Sequence, residues 1–273
     1  MFYLILAILG SSAISVIMRV SGSRVSSQRS MLAFNYLTCL IFSALYCAPG
    51  LGAPARTLYM GGFNGILYLA SFLLLQDTTR KSGVVLSTIF MKLGLLVPFI
   101  LSVVLFRESP TAPQMAGFLL AVAAIVGIYS QKSTGLKGGF LPLLLLLLLG
   151  GSANAMSKVY QRYGIANYEN QFLFYTFLSA FLLCALLVLI KKERPGKQDI
   201  FWGIVIGIPN FFASKCLLQS LFSLPAVVAY PTFSACTITL VTIVGVLFFR
   251  ERPTAKQWIS LGGMLAAIIL LNT

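Results

Sequence analysis

Apolar residues fall into ten runs of membrane-spanning length, near residues 2–19, 31–48, 57–76, 83–106, 112–130, 139–158, 170–190, 200–221, 225–249 and 256–272. About 20 helical residues at 1.5 Å rise cross a hydrocarbon core, so each run reads as one span. The breaks between runs are short and carry Gly, Pro and charge, as from Ala48 to Pro54 and from Lys191 to Lys197. The pattern predicts an all-α integral membrane protein of ten transmembrane helices. No break is long enough for a soluble catalytic or nucleotide-binding domain. The first run lacks a basic start and a cleavage site, and reads as a retained helix rather than a signal peptide.

The chain repeats itself. Phe106-Arg-Glu-Ser-Pro-Thr-Ala-Pro-Gln114 returns as Phe249-Arg-Glu-Arg-Pro-Thr-Ala-Lys-Gln257, a shift of 143 from Phe106 to Phe249. The same shift pairs Val84-Val85 with Val227-Val228 and Gln76 with Gln219, and a shift of 142 pairs Gly61xxxGly65 with Gly203xxxGly207. Gly10-Ser-Ser-Ala13 resembles Gly150-Gly-Ser-Ala153 at a shift of 140. Ordered matches at a nearly constant offset indicate duplication, with a first five-helix repeat over 1–134 and a second over 135–273. Five spans per copy is an odd number, so the second copy must be inverted. Inverted repeats are a recurrent plan of secondary transporters, with the substrate near mid-membrane. Thr111 with Gln114, and Thr254 with Gln257, have capping-box spacing at the starts of spans five and ten, a structural role rather than a binding one.

Composition agrees with the pattern: 58% of the 273 residues are hydrophobic and 10% are charged, at a mean hydropathy of +0.92. The net charge is +14, and nearly all the basic residues lie in the breaks, where they meet lipid headgroups rather than nucleic acid. Cys39, Cys47, Cys184, Cys216 and Cys236 lie in apolar runs without metal-ligand spacing, and histidine is absent. No cofactor or metal is implied. Without histidine, a central carboxylate or a loop-borne nucleophile, the chain does not read as an enzyme.

The sequence around the repeated motif resembles the drug/metabolite transporter superfamily, in particular its ten-helix EamA-type members. In that family each half ends its fourth helix with Glu, followed by Thr, Gln and Gly opening the fifth. Glu108, Thr111, Gln114 and Gly117 stand at these places in the first copy, and Glu251, Thr254, Gln257 and Ser260 in the second. Arg107 and Arg250 replace the small residue usual before the Glu, and the expected helix-four proline is displaced to Pro98, with Pro231 in the second copy. The resemblance implies a multi-pass transporter of the cell membrane.

Charge inside the spans is asymmetric. All six acidic residues lie at span ends or in breaks, whereas Lys92 in span four and Lys215 in span eight lie inside. A mid-bilayer lysine costs about 2.5–3.5 kcal/mol on insertion scales and so faces a cavity or a partner. Thr88 shares a face with Lys92, and Gln219 with Lys215. Asn64 and Asn210 near the starts of spans three and eight, Asn154 on span six, and Tyr230 and Ser234 on span nine complete the candidate substrate contacts. A positive centre suits a small anionic or zwitterionic metabolite, an organic anion or an amino-acid-like molecule, moved by alternating access. A flippase for an anionic lipid or lipid-linked intermediate would use the same lysines. The expected partners are a small-molecule substrate and the bilayer, with no nucleic acid, in a monomer or homodimer. The breaks after odd-numbered spans hold fourteen basic residues; the others hold four (Arg56, Arg107, Lys158, Arg162). Charge bias therefore puts both termini outside, whereas the family resemblance implies cytoplasmic termini.

Overall fold

The computed structural model describes residues 1–22, 24–47, 50–82, 84–129, 139–249 and 254–273. Among these are the helices α1 (Phe2–Ser21), α2 (Gln28–Leu45), α3 (Ala55–Ser82), α4 (Val84–Leu93), α5 (Leu96–Val104), α6 (Ala112–Tyr129), α7 (Phe140–Tyr163), α8 (Glu169–Ile190), α9 (Lys197–Ser220), α10 (Ala226–Phe249) and α11 (Ala255–Leu271). The predicted fourth span is broken into α4 and α5, so the eleven segments make ten spans. Spans three and six also run further than their apolar cores, to Ser82 and Tyr163, because polar residues extend both helices. Among the described residues, seven helical spans are long and apolar enough to cross a membrane by length and composition alone. Large apolar side chains point outward, among them Phe2, Leu45, Val104, Leu189, Phe248 and Ile259, each at least 70% exposed. Such a surface is stable only against lipid or protein.

The chain forms two compact units, and each draws helices from both halves of the sequence. One comprises Met1–Leu69 with Met156–Ser220; the other comprises Ala70–Ala155 with Leu221–Thr273. The junction expected between the repeats, at 134/135, lies outside the described residues.

In the first unit, the repeated GxxxG pairs let backbones touch. A Cβ added to Gly61 would lie 2.7 Å from the Phe172 carbonyl and 2.8 Å from Tyr175 Cβ, both on α8. One added to Gly203 would lie 2.6 Å from the Met31 carbonyl and from Phe34 Cβ, on α2. Gly65 meets Ser179 and Thr176 of α8, and Gly207 meets Thr38 and Asn35 of α2. Shifting the first set of contacts by 141–142 positions gives the second set. That reciprocity is the signature of an approximate twofold.

The second unit repeats this logic and shows the inversion directly. Helices α6 and α11 are equivalent under the shift of 143. Gly117, early in α6, approaches Leu270 and Leu271 at the end of α11, while Gly127, late in α6, approaches Ser260 near the start of α11. The equivalent helices therefore run antiparallel. Adding 143 to 117 and 127 gives 260 and 270, so the contact is reciprocal as well. The fold is two inverted five-helix repeats. The core of this unit gathers Leu95, Phe99, Phe118, Ile125, Val228, Ile238 and Met264, with the Phe99 and Phe118 rings stacked at 3.6 Å.

Both capping boxes form. Thr111 and Gln114 exchange backbone-to-side-chain bonds at 3.1 and 3.4 Å, and Thr254 and Gln257 do the same before α11. Glu108, the motif's acid, accepts a bond from the Val227 amide at 3.1 Å, close to the start of α10, where a carboxylate meets unpaired N–H groups and the positive helix end. Arg107 has φ +54°, a left-handed conformation that favours glycine. Glu251, Arg250 and Arg252 lie outside the described residues.

Candidate functional site

Lys92 occupies the last turn of α4, and α4 ends one residue later. The carbonyl end of a helix dipole favours a cation, which offsets part of the cost of holding an ammonium group away from water. The side chain is half-buried, and no acidic side chain among the described residues pairs with it. Thr88 stands one turn earlier, also half-buried.

The five acids among the described residues are engaged elsewhere. Asp77 pairs with Lys81, and Glu108 holds the Val227 amide. Glu169 accepts from the Asn167 amide, and Glu193 pairs with Arg29 and Ser27. Asp199, fully buried, accepts from the amides of Ser26 (2.8 Å), Ser27 (3.3 Å) and Gly196 (3.0 Å). These contacts tie the α1–α2 connection to the α8–α9 connection. At Thr57, 142 positions before Asp199, the hydroxyl instead meets the Tyr160 hydroxyl on α7 (3.2 Å).

The other candidates divide between the two units. With Lys92 and Thr88 in the second unit are Tyr230, Ser234 and Asn154. The Tyr230 hydroxyl donates to the Asn154 carbonyl at 2.8 Å, joining α10 to α7, while the Asn154 side chain is exposed. Ser234 is half-buried one turn beyond Tyr230. The Thr237 hydroxyl is buried without a hydrogen-bond partner among the described residues.

In the first unit, Lys215 is less deep than its apolar surroundings suggest. It stands five residues before Ser220, the end of α9, and its ammonium lies 3.3 Å from the centre of the Tyr46 ring at the C-terminal cap of α2. This is a cation–π contact near a helix end, with the long apolar stem of the lysine lying along the bundle. Gln219 follows on the same face, half-buried. Asn210 is not near the start of its helix but in the middle of α9, beside Pro209. Its amide donates to Asn35 Oδ1 at 3.2 Å. Asn64, also well inside its helix, reaches the Thr176 hydroxyl at 3.5 Å. Both asparagines thus serve helix pairing. Asn35 was not among the sequence candidates, because an isolated Asn in an apolar run carries no periodic signal. Lys158, counted with the breaks, lies within α7 at 7% exposure. The long extension of α7 hid it.

An apolar groove of about 500 Å³ runs between α3 and α8, lined by Leu58, Tyr59, Phe63, Ile66, Leu182 and Leu183. It holds none of the candidates.

Ten spans arranged as inverted repeats follow a plan recurrent among membrane transporters. Residues 141–273 match the EamA-like transporter family. An uncharacterized protein of Haemophilus influenzae is 25% identical over 286 aligned positions, covering 99% of this chain and 97% of that one. The "Probable 4-amino-4-deoxy-L-arabinose-phosphoundecaprenol flippase subunit ArnE" of Hamiltonella defensa is 33% identical over 84 positions, 30% of this chain and 72% of its own length. The membrane protein YvaE of Bacillus subtilis is 39% identical over 56 positions, 20% of this chain and 47% of its own. One crystal structure, 15% identical, superposes with a TM-score of 0.76 over 99% of this chain and 97% of the other, which shows the shared fold. The chain belongs to the EamA-like transporters of the drug/metabolite transporter superfamily.

Proposed function

We propose that this transporter carries a small polar metabolite bearing negative charge, anionic or zwitterionic, by alternating access across the cell membrane, with Lys92 as its principal contact. The observation that carries the reading is the distribution of charge. Every acid among the described residues serves a local tie near a helix end, and Lys92 has no acidic partner among them. Carriers that exchange protons for cationic substrates need an intramembrane carboxylate, and none of the described acids occupies a span centre. A cation in a low-dielectric wall attracts carboxylate or phosphate through charge-assisted bonds. Purified protein is therefore expected to be stabilised against heat by members of a panel of amino acids, organic acids and phosphorylated metabolites, and Lys92→Gln to lose that response. A panel that stabilises both proteins equally would refute the assignment of Lys92.

A second reading, a flippase for an anionic lipid or lipid-linked intermediate, is supported by the apolar groove between α3 and α8 and by the likeness to ArnE over 84 positions. Reconstituted protein that translocates a fluorescent anionic phospholipid, with no uptake of soluble metabolites, would favour it.

A further inference from the structure

The fourth span gives up α-helical bonding within the membrane-spanning segment. Gly94 N–H donates to Met91 O (3.2 Å), Leu95 N–H to Lys92 O (3.4 Å) and Val97 N–H to Gly94 O (3.1 Å). All three are bonds of the tighter three-residue turn. Such a turn advances about 120° per residue against about 100° in an α-helix, so three residues offset the faces of α4 and α5 by about 60°. Irregular backbone at membrane depth persists where protein covers it. The cover here is Gly151 on α7. A Cβ at 151 would lie 2.4 Å from the Gly94 carbonyl oxygen and 2.5 Å from Val97 Cγ2, and one at 94 would lie 2.9 Å from the Met91 carbonyl and 3.0 Å from the Gly151 nitrogen. Gly150, the immediate neighbour, has open space at its own Cβ position.

The second copy lacks both features together. The positions 143 beyond Lys92 and Gly94 are Ala235 and Thr237, and α10 runs unbroken from Ala226 to Phe249. The lysine and the break two residues after it thus occur as a pair, in one half only.

We propose that Gly151 is a positioning residue for Lys92: its bare backbone seats the break at Gly94, and the break sets the direction of the lysine at the end of α4. The inference builds on Lys92 as the substrate's cationic contact, and its test reads geometry rather than transport. Lys92→Cys is labelled in membrane vesicles with methanethiosulfonate ethylsulfonate, an anionic thiol reagent, against the wild-type chain as blank. Four of the native cysteines are buried and Cys236 is half-buried, so the blank is low. Adding Gly151→Ala lowers the labelling rate at position 92 at least tenfold, and adding Gly150→Ala leaves it within twofold. Ser234→Cys, in the same unit, keeps its rate in both backgrounds, which separates local reorientation from loss of the fold. Gly94→Ala meets milder contacts, and lowers labelling at position 92 at least threefold should Gly151→Ala not accumulate in the membrane. Equal rates at position 92 in the Gly151→Ala and Gly150→Ala backgrounds would overturn the proposal, as would a parallel fall at positions 92 and 234. Normal transport by Lys92→Gln would remove the substrate contact but not the labelling result, so the two readings fail separately.

Discussion

Replacing Gly65 with Ala tests the packing that relates the two halves. A Cβ at position 65 would lie 1.9 Å from Ser179 Oγ, 2.3 Å from the Thr176 carbonyl oxygen and 2.9 Å from the Ala180 nitrogen. The serine can rotate away, at the loss of its 3.0 Å bond to the Gly62 carbonyl. The two backbone atoms cannot. Since a carbon–oxygen contact settles at about 3.3 Å or more, α3 and α8 must part by about 1 Å. Overpacking of this kind costs about 1–3 kcal/mol, and the better helix propensity of Ala returns about 1. The lost serine bond adds about 1 kcal/mol, for a net loss near 2 kcal/mol. Gly62, three residues earlier, has nothing within 4 Å of a new Cβ, so Gly62→Ala keeps only the propensity gain. At about 2–4 °C per kcal/mol for chains of this size, Gly65→Ala should melt about 6–12 °C below Gly62→Ala in detergent, followed by intrinsic fluorescence or differential scanning. Gly207→Ala, the symmetric change, should fall with Gly65→Ala. Equal melting of Gly65→Ala and Gly62→Ala would refute the close approach, and a silent Gly207→Ala would refute its symmetry.

Asp199→Ala leaves three backbone N–H groups without their acceptor, a loss of about 3 kcal/mol or more that a melting curve will register, whereas Asp77→Ala breaks an exposed pair and should leave the curve unmoved. Arg107→Gly relieves a left-handed residue; the strain released, about 1–2 kcal/mol, exceeds the added freedom of the unfolded chain, so melting should rise by a few degrees. A C-terminal reporter active only in the cytoplasm should stay silent under the charge bias of the connections; activity would support the arrangement that the family resemblance implies.

The ten spans and the inversion were legible because they depend on features that sequence displays: run length, parity and offset. The GxxxG pairs and the capping boxes could be placed for the same reason. Depth was not legible. Lys215 sits among apolar residues, yet the helix ends five residues on and Tyr46 covers the ammonium. Lys158 follows polar residues, yet it is buried because α7 continues to Tyr163. The break at Gly94 escaped for a related reason: an isolated Gly in an apolar run is compatible with a continuous helix, and only the approach of Gly151 fixes it as a break. Asn210 and Asn64 carried the chemistry of a binding site, but their partners Asn35 and Thr176 lie on other helices, which no local pattern announces.

The role of Lys92 in transport is tested by uptake of radiolabelled amino acids, organic acids and phosphorylated metabolites into liposomes holding equal amounts of the wild-type protein or Lys92→Gln. The wild type should show saturable uptake of at least one anionic or zwitterionic compound, and Lys92→Gln should lose it at unchanged expression and melting temperature. Uptake by Lys92→Gln at the wild-type rate would contradict that role.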